Sequence, residues 1–181
     1  MLEKEYKAML DKSNFEKIKH AFLWDSVKVQ TNYYYTDDDG ILRENRVMFR
    51  VREKDGKCVI QIKYHKNKNS PLQICEENEF RINNVPEIIE NGEKYTKIKT
   101  GPLKLLGNAR TQRYSKMWDD NTEICLDKTE YLGICDYEIE VEYTADTIPD
   151  DLTEKLNSLG VEFIESSCGK FSRFLNELKQ R

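Results

Sequence analysis

Two glutamates and a lysine open the chain at intervals of two: Glu3, Glu5 and Lys7, an E-x-E-x-K. On a helix, Glu3 and Lys7 would be an ordinary i,i+4 ion pair. On a strand, all three side chains point to one face and can meet a common ligand. The same interval returns at Arg50-x-Arg52, Gln61-x-Lys63, Glu77-x-Glu79 and Thr111-x-Arg113. It is most regular at Asp136, Glu138, Glu140 and Glu142, with Asp127 a little earlier. Between these residues stand apolar ones, such as Phe49 and Val51, Ile60 and Ile62, Ile139 and Val141. Several strands therefore share one apolar face and one ionisable face, and the ionisable face carries both signs.

Carboxylates hold hard cations such as Mg²⁺ or Mn²⁺, which prefer oxygen ligands and bridge to phosphate. Arginine presents a planar fork matched to phosphate oxygens, and lysine a compact positive charge. Gathered around one cavity, the two sets suggest a metal–polyphosphate site, where a metal polarises a phosphoryl group and orients water. Two architectures fit. A one-layer sheet could turn its charged face to water. Alternatively, the sheet closes so that the charged faces line a wet interior and the apolar faces point outward under helices. A dry charged interior would cost several kcal/mol per unpaired ion, so closure requires water and ions of both signs.

The elements that must position these residues follow from the pattern along the chain. Ser13-Asn14-Phe15-Glu16 reads as a capping box, so a helix is expected after Ser13 with Phe15, Ile18, Phe22 and Leu23 on one face. Residues 1–10 then form a separate element, which favours the strand reading of E-x-E-x-K. Strands are predicted from Val27 to Tyr35, from Arg46 to Glu53 and from Lys57 to His65, the last two as a hairpin around Lys54-Asp55-Gly56. Further strands are predicted over Cys75 to Ile82, Ala109 to Met117, Thr122 to Leu126 and Ile134 to Tyr143. Asp37-Asp38-Asp39-Gly40 reads as a turn; as a calcium loop it would place Tyr35 and Arg46 at ligand positions. Short helical pieces are expected near Pro86 to Glu90, ending at Gly92, and over Leu103 to Leu106. Asp150 or Asp151 caps a helix through Leu152, Leu156 and Leu159, stopped by Gly160, and Phe171, Phe174, Leu175 and Leu178 fall at helical spacing.

Composition bounds the class. In 181 residues, 34% are charged, yet ten Tyr, seven Phe and two Trp supply a core and argue against disorder. The 33 acidic residues outnumber the 29 basic ones, the opposite of a general nucleic-acid binder. No apolar run approaches the roughly 20 residues of a membrane helix, and Met1 leads straight into charges, so no leader and a cytoplasmic protein are expected. The five cysteines are scattered, form no C-x-x-C and are read as reduced core residues. Trp24 and Trp118 are read as packing residues, Arg110 as facing outward, and Glu142 as lying at the solvent end of its strand. One compact domain over residues 1–181 is the simplest organisation.

The ordered set resembles the CYTH superfamily, the triphosphate tunnel metalloenzymes, nearly end to end. It comprises E-x-E-x-K, Gln30-Thr31-Asn32-Tyr33-Tyr34-Tyr35, R-x-R, Ile60-Gln61-Ile62-Lys63, L-G…T-x-R at Leu106 to Arg113, and E-x-E at Glu138 to Glu140. Lys170-Phe171-Ser172-Arg173-Phe174 is similar to the C-terminal K-x-x-R-F of the bacterial branch, whereas Gln112 stands where relatives vary. The resemblance implies an α+β fold: an eight-stranded antiparallel β-barrel, open at both ends, with helices packed outside. It implies Mg²⁺ or Mn²⁺ bound by Glu3, Glu5, Glu138 and Glu140. Lys7, Arg50, Arg52, Lys63 and Arg113 would grip a triphosphate, joined by Lys170 and Arg173. Glu77, Glu79 and Asp127 would line the acidic wall and, with Lys7, serve the chemistry. Hydrolysis of inorganic triphosphate is the leading expectation. The alternatives are a thiamine triphosphatase, nucleoside triphosphatase or class IV-type adenylyl cyclase, and a non-catalytic polyphosphate- or nucleotide-binding barrel. The expected partner is a small triphosphate rather than a nucleic acid or a membrane, with the chain a monomer or homodimer.

Overall fold

The computed structural model describes residues 2–66, 72–163 and 168–181; the side chains of Leu2 and Glu3 lie outside the described residues. Its strands are β1 (Leu2–Leu10), β2 (Ser26–Thr36), β3 (Val47–Lys54), β4 (Lys57–His65), β5 (Leu72–Ile82), β6 (Ile88–Ile89), β7 (Leu103–Asp119), β8 (Thr122–Tyr131) and β9 (Ile134–Tyr143). Hydrogen bonding runs β2-β3-β4-β5-β1-β9-β8-β7, and β7 pairs again with β2, so eight antiparallel strands close a barrel. The two-residue β6 is appended to β7. Of the two architectures the sequence allows, the closed one is formed.

Register decides what the barrel contains, because side chains alternate across a strand. Lys7 lies opposite Glu140, Glu138 opposite Asp127 and Asp127 opposite Arg113. On the other side, Arg52 lies opposite Asn32, Arg50 opposite Gln61 and Lys63 opposite Glu77. A slip of one residue would turn these charges into the apolar layer outside, so burial of that layer fixes the register.

The outer layer has two parts. Helices α1 (Lys12–Ala21) and α4 (Asp150–Ser158) cover β1, β8 and β9, where Phe15, Ile18, Leu152 and Leu156 pack on Ile124, Leu126, Ile139 and Val141. The short helices α2 (Ile41–Glu44) and α3 (Glu93–Thr96) lie by β3 and β4, over Phe49, Val51, Ile60 and Ile62. Each fully buried Phe or Ile contributes about 1.5–3 kcal/mol relative to exposure. Helix α5 (Lys170–Leu178) differs from these: its Phe174 packs against Tyr34, Met48 and Ala109, residues of the interior parity, so it lies over one mouth of the barrel. Trp24 and Trp118 pack at the edge of the first cluster, as expected. No helix among the described residues is long and apolar enough to cross a membrane.

Several local expectations are corrected. α1 starts at Lys12, and Asp11 is its N-cap, its Oδ1 accepting from the Asn14 N–H at 2.7 Å. Glu16 pairs with Lys19 at 3.2 Å instead of closing a box; a carboxylate cap is available earlier and leaves Phe15 and Ile18 facing the sheet. Residues 88–89 form β6 and residues 103–106 begin β7, where helical pieces were expected. Ile89 pairs with Leu103, which is fully buried, and a four-residue stretch with three leucines does not distinguish strand from helix until it finds such a partner. The helical piece near Gly92 is α3, which follows that glycine rather than preceding it. Asp37 does more than turn the chain: its carboxylate accepts from Ile41 N–H at 2.6 Å and Leu42 N–H at 3.0 Å, starting α2. Of the free cysteines, Cys75 and Cys125 are buried, but Cys135 and Cys168 are exposed, correcting the core reading for those two.

Candidate active site

The interior is a cavity of about 1220 Å³, lined on one side by carboxylates and on the other by arginines. On the acidic side, β1, β8 and β9 present Glu5, Asp127, Glu138 and Glu140, all less than a tenth exposed. Four cations face them. Lys7 Nζ lies 2.8 Å from Glu5 and 3.6 Å from Glu140. Arg113 grips Asp127 through two nitrogens, at 2.9 and 2.7 Å, and also contacts Glu140. Lys170, at the start of α5, lies 2.8 Å from both Asp127 and Glu140 and contacts Glu138 as well. Arg173, one turn further, binds Glu138 at 2.8 Å and Asp136 at 2.7 Å.

This mutual compensation sets the ionisation. Burial pushes the Glu5 carboxyl up, but Lys7 and Lys63 overcome it and hold the group at about 2, below its ordinary 4.5. Burial also opposes the charge on Asp127, yet Arg113 and Lys170 hold its carboxyl well below the usual range. Lys7 is raised, the pull of Glu5 and Glu140 outweighing burial. Burial, with Arg113 and Lys7, draws Lys170 down toward about 7 against the attraction of Asp127. We take Lys170 as protonated near neutrality, because three buried carboxylates touch it and Asp127 is depressed partly by its charge.

The opposite side is built differently. Arg50 donates its Nε to Gln61 Oε1 at 2.8 Å, and Arg52 donates its Nε to Asn32 Oδ1 at 3.0 Å. Among the described residues, neither guanidinium forms an ion pair. Burial, with repulsion from Arg50 and Arg113, pulls Arg52 down to about 9, and the attraction of Glu77 offsets this only in part. Lys63 pairs with Glu77 at 3.3 Å, and Gln61 donates to Glu79.

The structure brings Glu5, Lys7, Arg113, Asp127, Glu138, Glu140, Lys170 and Arg173 into one cluster. Arg50, Arg52, Lys63, Glu77 and Glu79 lie across the same cavity, and the side chain of Glu3 lies outside the described residues. Glu77 and Glu79 are separate from Asp127, since their partners are on β4. Glu142 is corrected: it reaches inward, 3.5 Å from Arg113. Its parity matches that of Glu138 and Glu140, so the last acid of the series still borders the cavity. Sequence reasoning gave no role to Gln30, Asn32, Tyr34 and Gln61. The alternation Gln30-x-Asn32-x-Tyr34 carried the signal, but Thr31, Tyr33 and Tyr35 on the other parity are also polar or aromatic, which hid the inward face. Arg110 is exposed, as its parity predicted.

Two overlapping sets of carboxylates are compact enough for a cation: Glu5, Glu140 and Glu142, and Asp127, Glu138 and Glu140, with ligand oxygens within 4.8 Å of one another in each set. All-oxygen, anionic donors fit Mg²⁺ or Mn²⁺ rather than a soft metal.

Comparison with known proteins agrees with this geometry. The CYTH domain family matches residues 1–174. YjbK of Bacillus subtilis, which carries a provisional assignment as a triphosphatase, is 29% identical over 147 residues, 78% of this chain and 77% of YjbK. Among solved structures, HpAC1 of Hippeastrum superposes with a TM-score of 0.78 at 24% identity, covering 96% of this chain and 95% of that one. HpAC1 is assigned as an adenylyl cyclase and described as having a dominant triphosphatase activity. The mimivirus capping-enzyme triphosphatase superposes with a TM-score of 0.56 at 14% identity, covering 88% of each chain. At these identities the two structures show a shared fold. With the family matched over almost its whole length and the eight-stranded barrel closed around a mixed-charge interior, the chain belongs to the CYTH domain family.

Proposed function

We propose that the chain hydrolyses inorganic triphosphate to pyrophosphate and phosphate, with Mg²⁺ or Mn²⁺ as cofactor. One observation carries this reading: two arginines held by neutral amides face a balanced carboxylate cluster across a single cavity. Arg50 and Arg52, which form no ion pair among the described residues, bind the phosphate chain, joined by Lys63 from its pair with Glu77. Glu5, Glu138 and Glu140 would hold the metal, together with Glu3, whose side chain lies outside the described residues. The bound metal supplies Lewis-acid polarisation of a phosphoryl oxygen.

The carboxylates now engage Arg113, Lys170 and Arg173. These three side chains would also offer donors to phosphoryl oxygens and offset charge on the leaving pyrophosphate. Lys7, between Glu5 and Glu140, orients the ligands and donates to the substrate. A water oxygen forms the new bond to the terminal phosphorus as the bridging P–O bond breaks. Glu77 and Glu79, which border the same cavity, would orient this water. Asp127 is a poor base, being fully buried and held ionised by Arg113 and Lys170; it serves to position them.

YjbK's assignment and the activity described for HpAC1 support a triphosphatase over a cyclase. The test is substrate profiling with inorganic triphosphate, ATP and thiamine triphosphate, each with Mg²⁺ and with Mn²⁺. Release of one phosphate and one pyrophosphate per inorganic triphosphate is the expected result. Cyclic AMP from ATP would select the cyclase, and tight binding without turnover a non-catalytic barrel. With both glutamates of E-x-E replaced, as Glu3→Gln and Glu5→Gln, metal-dependent turnover is expected to disappear.

A further inference from the structure

β2 turns three uncharged polar side chains into the barrel at positions i, i+2 and i+4: Gln30, Asn32 and Tyr34. They are 2%, 0% and 0% exposed. Among the described residues, Gln30 Nε2, Asn32 Nδ2 and the Tyr34 hydroxyl have no hydrogen-bond partner. Buried polar groups are rarely left so, and each unpaired one costs roughly 1–3 kcal/mol. Three in one column, beside a cavity that Gln30 and Tyr34 line, require a common explanation.

Their neighbours supply it. Asn32 lies opposite Arg52 and Tyr34 opposite Arg50. Burial raises the Tyr34 pKa, with Arg50, Arg52 and Arg173 opposing it, so the hydroxyl remains a donor close to three guanidiniums. Asn32 has a double character: its Oδ1 accepts from Arg52 while its buried Nδ2 is unpaired among the described residues. A carboxylate at this position would orient Arg52 equally well but cancel its charge. An amide orients the guanidinium and leaves both the charge and a second donor for a ligand. Gln61 holds Arg50 by the same device. A ligand that meets two arginines without an ion-pair partner among the described residues and three spare donors must offer many acceptors and no donors, which is the chemistry of a condensed phosphate chain.

We infer that the inward column of β2 is the charge-neutral half of the phosphate site, with Asn32 positioning Arg52 and the Gln30, Asn32 and Tyr34 donors contacting phosphoryl oxygens. The inference rests on the assignment of Arg50 and Arg52 to triphosphate binding. The test is calorimetric titration of the full chain with inorganic triphosphate, alongside thermal melting, for Asn32→Asp, Tyr34→Phe and Gln30→Met, with Arg52→Ala as reference. Asn32→Asp is expected to hold or raise the melting temperature, since Arg52 gains an ionic partner, while weakening binding by about tenfold or more. Tyr34→Phe and Gln30→Met, which remove unpartnered buried groups, are expected to weaken binding roughly three- to tenfold without loss of melting temperature.

A structural role alone would move binding and melting temperature down together, and that result overturns the inference. Binding within twofold of the unaltered chain in all three variants also overturns it and leaves the column to ordered water. If Arg52→Ala loses binding while the β2 variants keep it, only this inference falls. If Arg52→Ala binds normally, the underlying assignment falls and takes this inference with it.

Discussion

Replacing Lys170 by methionine removes one of four cations from a buried cluster in which Lys7, Arg113, Lys170 and Arg173 balance Glu5, Asp127, Glu138 and Glu140. The change removes one positive charge from beside the buried carboxylates Asp127, Glu138 and Glu140. Breaking a buried ion pair by removing one partner costs about 3–5 kcal/mol. Here Arg113 still grips Asp127 at 2.7 Å and Arg173 still binds Glu138 at 2.8 Å, so the low end, about 3 kcal/mol, is expected. For a chain of this size each kcal/mol shifts the melting temperature by roughly 2–4 °C, giving a fall of about 6–12 °C in metal-free buffer at pH 6, where the ammonium is charged. Manganese should then reverse the defect, because a divalent cation replaces the lost charge. At a hundred times its dissociation constant a ligand stabilises by about 2.7 kcal/mol. Differential scanning fluorimetry with increasing Mn²⁺ is the assay. The variant should gain more from the metal than the unaltered chain, in which Lys170 already occupies the carboxylates. Equal stability without metal and equal metal-induced shifts in the two proteins would refute the reasoning.

Other consequences follow from single contacts. Glu138→Gln combined with Glu140→Gln is expected to abolish the Mn²⁺-induced rise in melting temperature, since both carboxylate sets lose Glu140; a preserved rise would move the metal elsewhere. Glu5 ionises at about 2 in the folded chain against 4.5 ordinarily, so its stabilisation is complete above pH 4.5 and lost as pH falls toward 2. The loss is on the order of 3 kcal/mol, and Glu5→Gln should flatten the stability profile in that window when followed by urea unfolding; an unchanged slope would count against the Lys7 and Lys63 pairing. Gly107 has φ +148°, and a Cβ there would lie 2.9 Å from Phe174 Cζ. Gly107→Ala should therefore cost about 2 kcal/mol and loosen α5, detectable as faster amide exchange over residues 170–178. A neutral effect on both readouts would show that α5 does not depend on this close approach.

The two-residue interval made the site legible in the sequence because parity on a strand decides what a side chain can reach. Glu138 and Glu140 stand between Tyr137, Ile139 and Val141, so one face was bound to be buried against something apolar and the other to gather acids. Closure of the sheet was not legible from that pattern alone. It depends on β7 pairing with β8 along one edge and with β2 along the other, and the β2 partners lie about 70–90 positions away in the chain, beyond what a local pattern records. The neutral column of β2 was hidden for a related reason. Tyr34 and Tyr35 have the same side chain, yet one points into the cavity and the other into the outer core, and only the pairing of Tyr34 with Arg50 separates them. Glu142 misled because a strand end is usually wet; inside a barrel its carboxylate meets Arg113. α5 was read as a helix from its apolar spacing, but its position over the barrel mouth follows from Phe174 packing on Tyr34 and Ala109, contacts between residues far apart in the chain.

The most direct test of the central claim, that a metal-bound triphosphate occupies the barrel interior, is diffraction from crystals grown with Mn²⁺ and inorganic triphosphate, using the anomalous signal of manganese. The account predicts a manganese peak against Glu5, Glu138 and Glu140 and a phosphate chain running toward Arg50, Arg52 and Lys63. An interior filled only by water, with manganese or triphosphate on the outer surface, would contradict it.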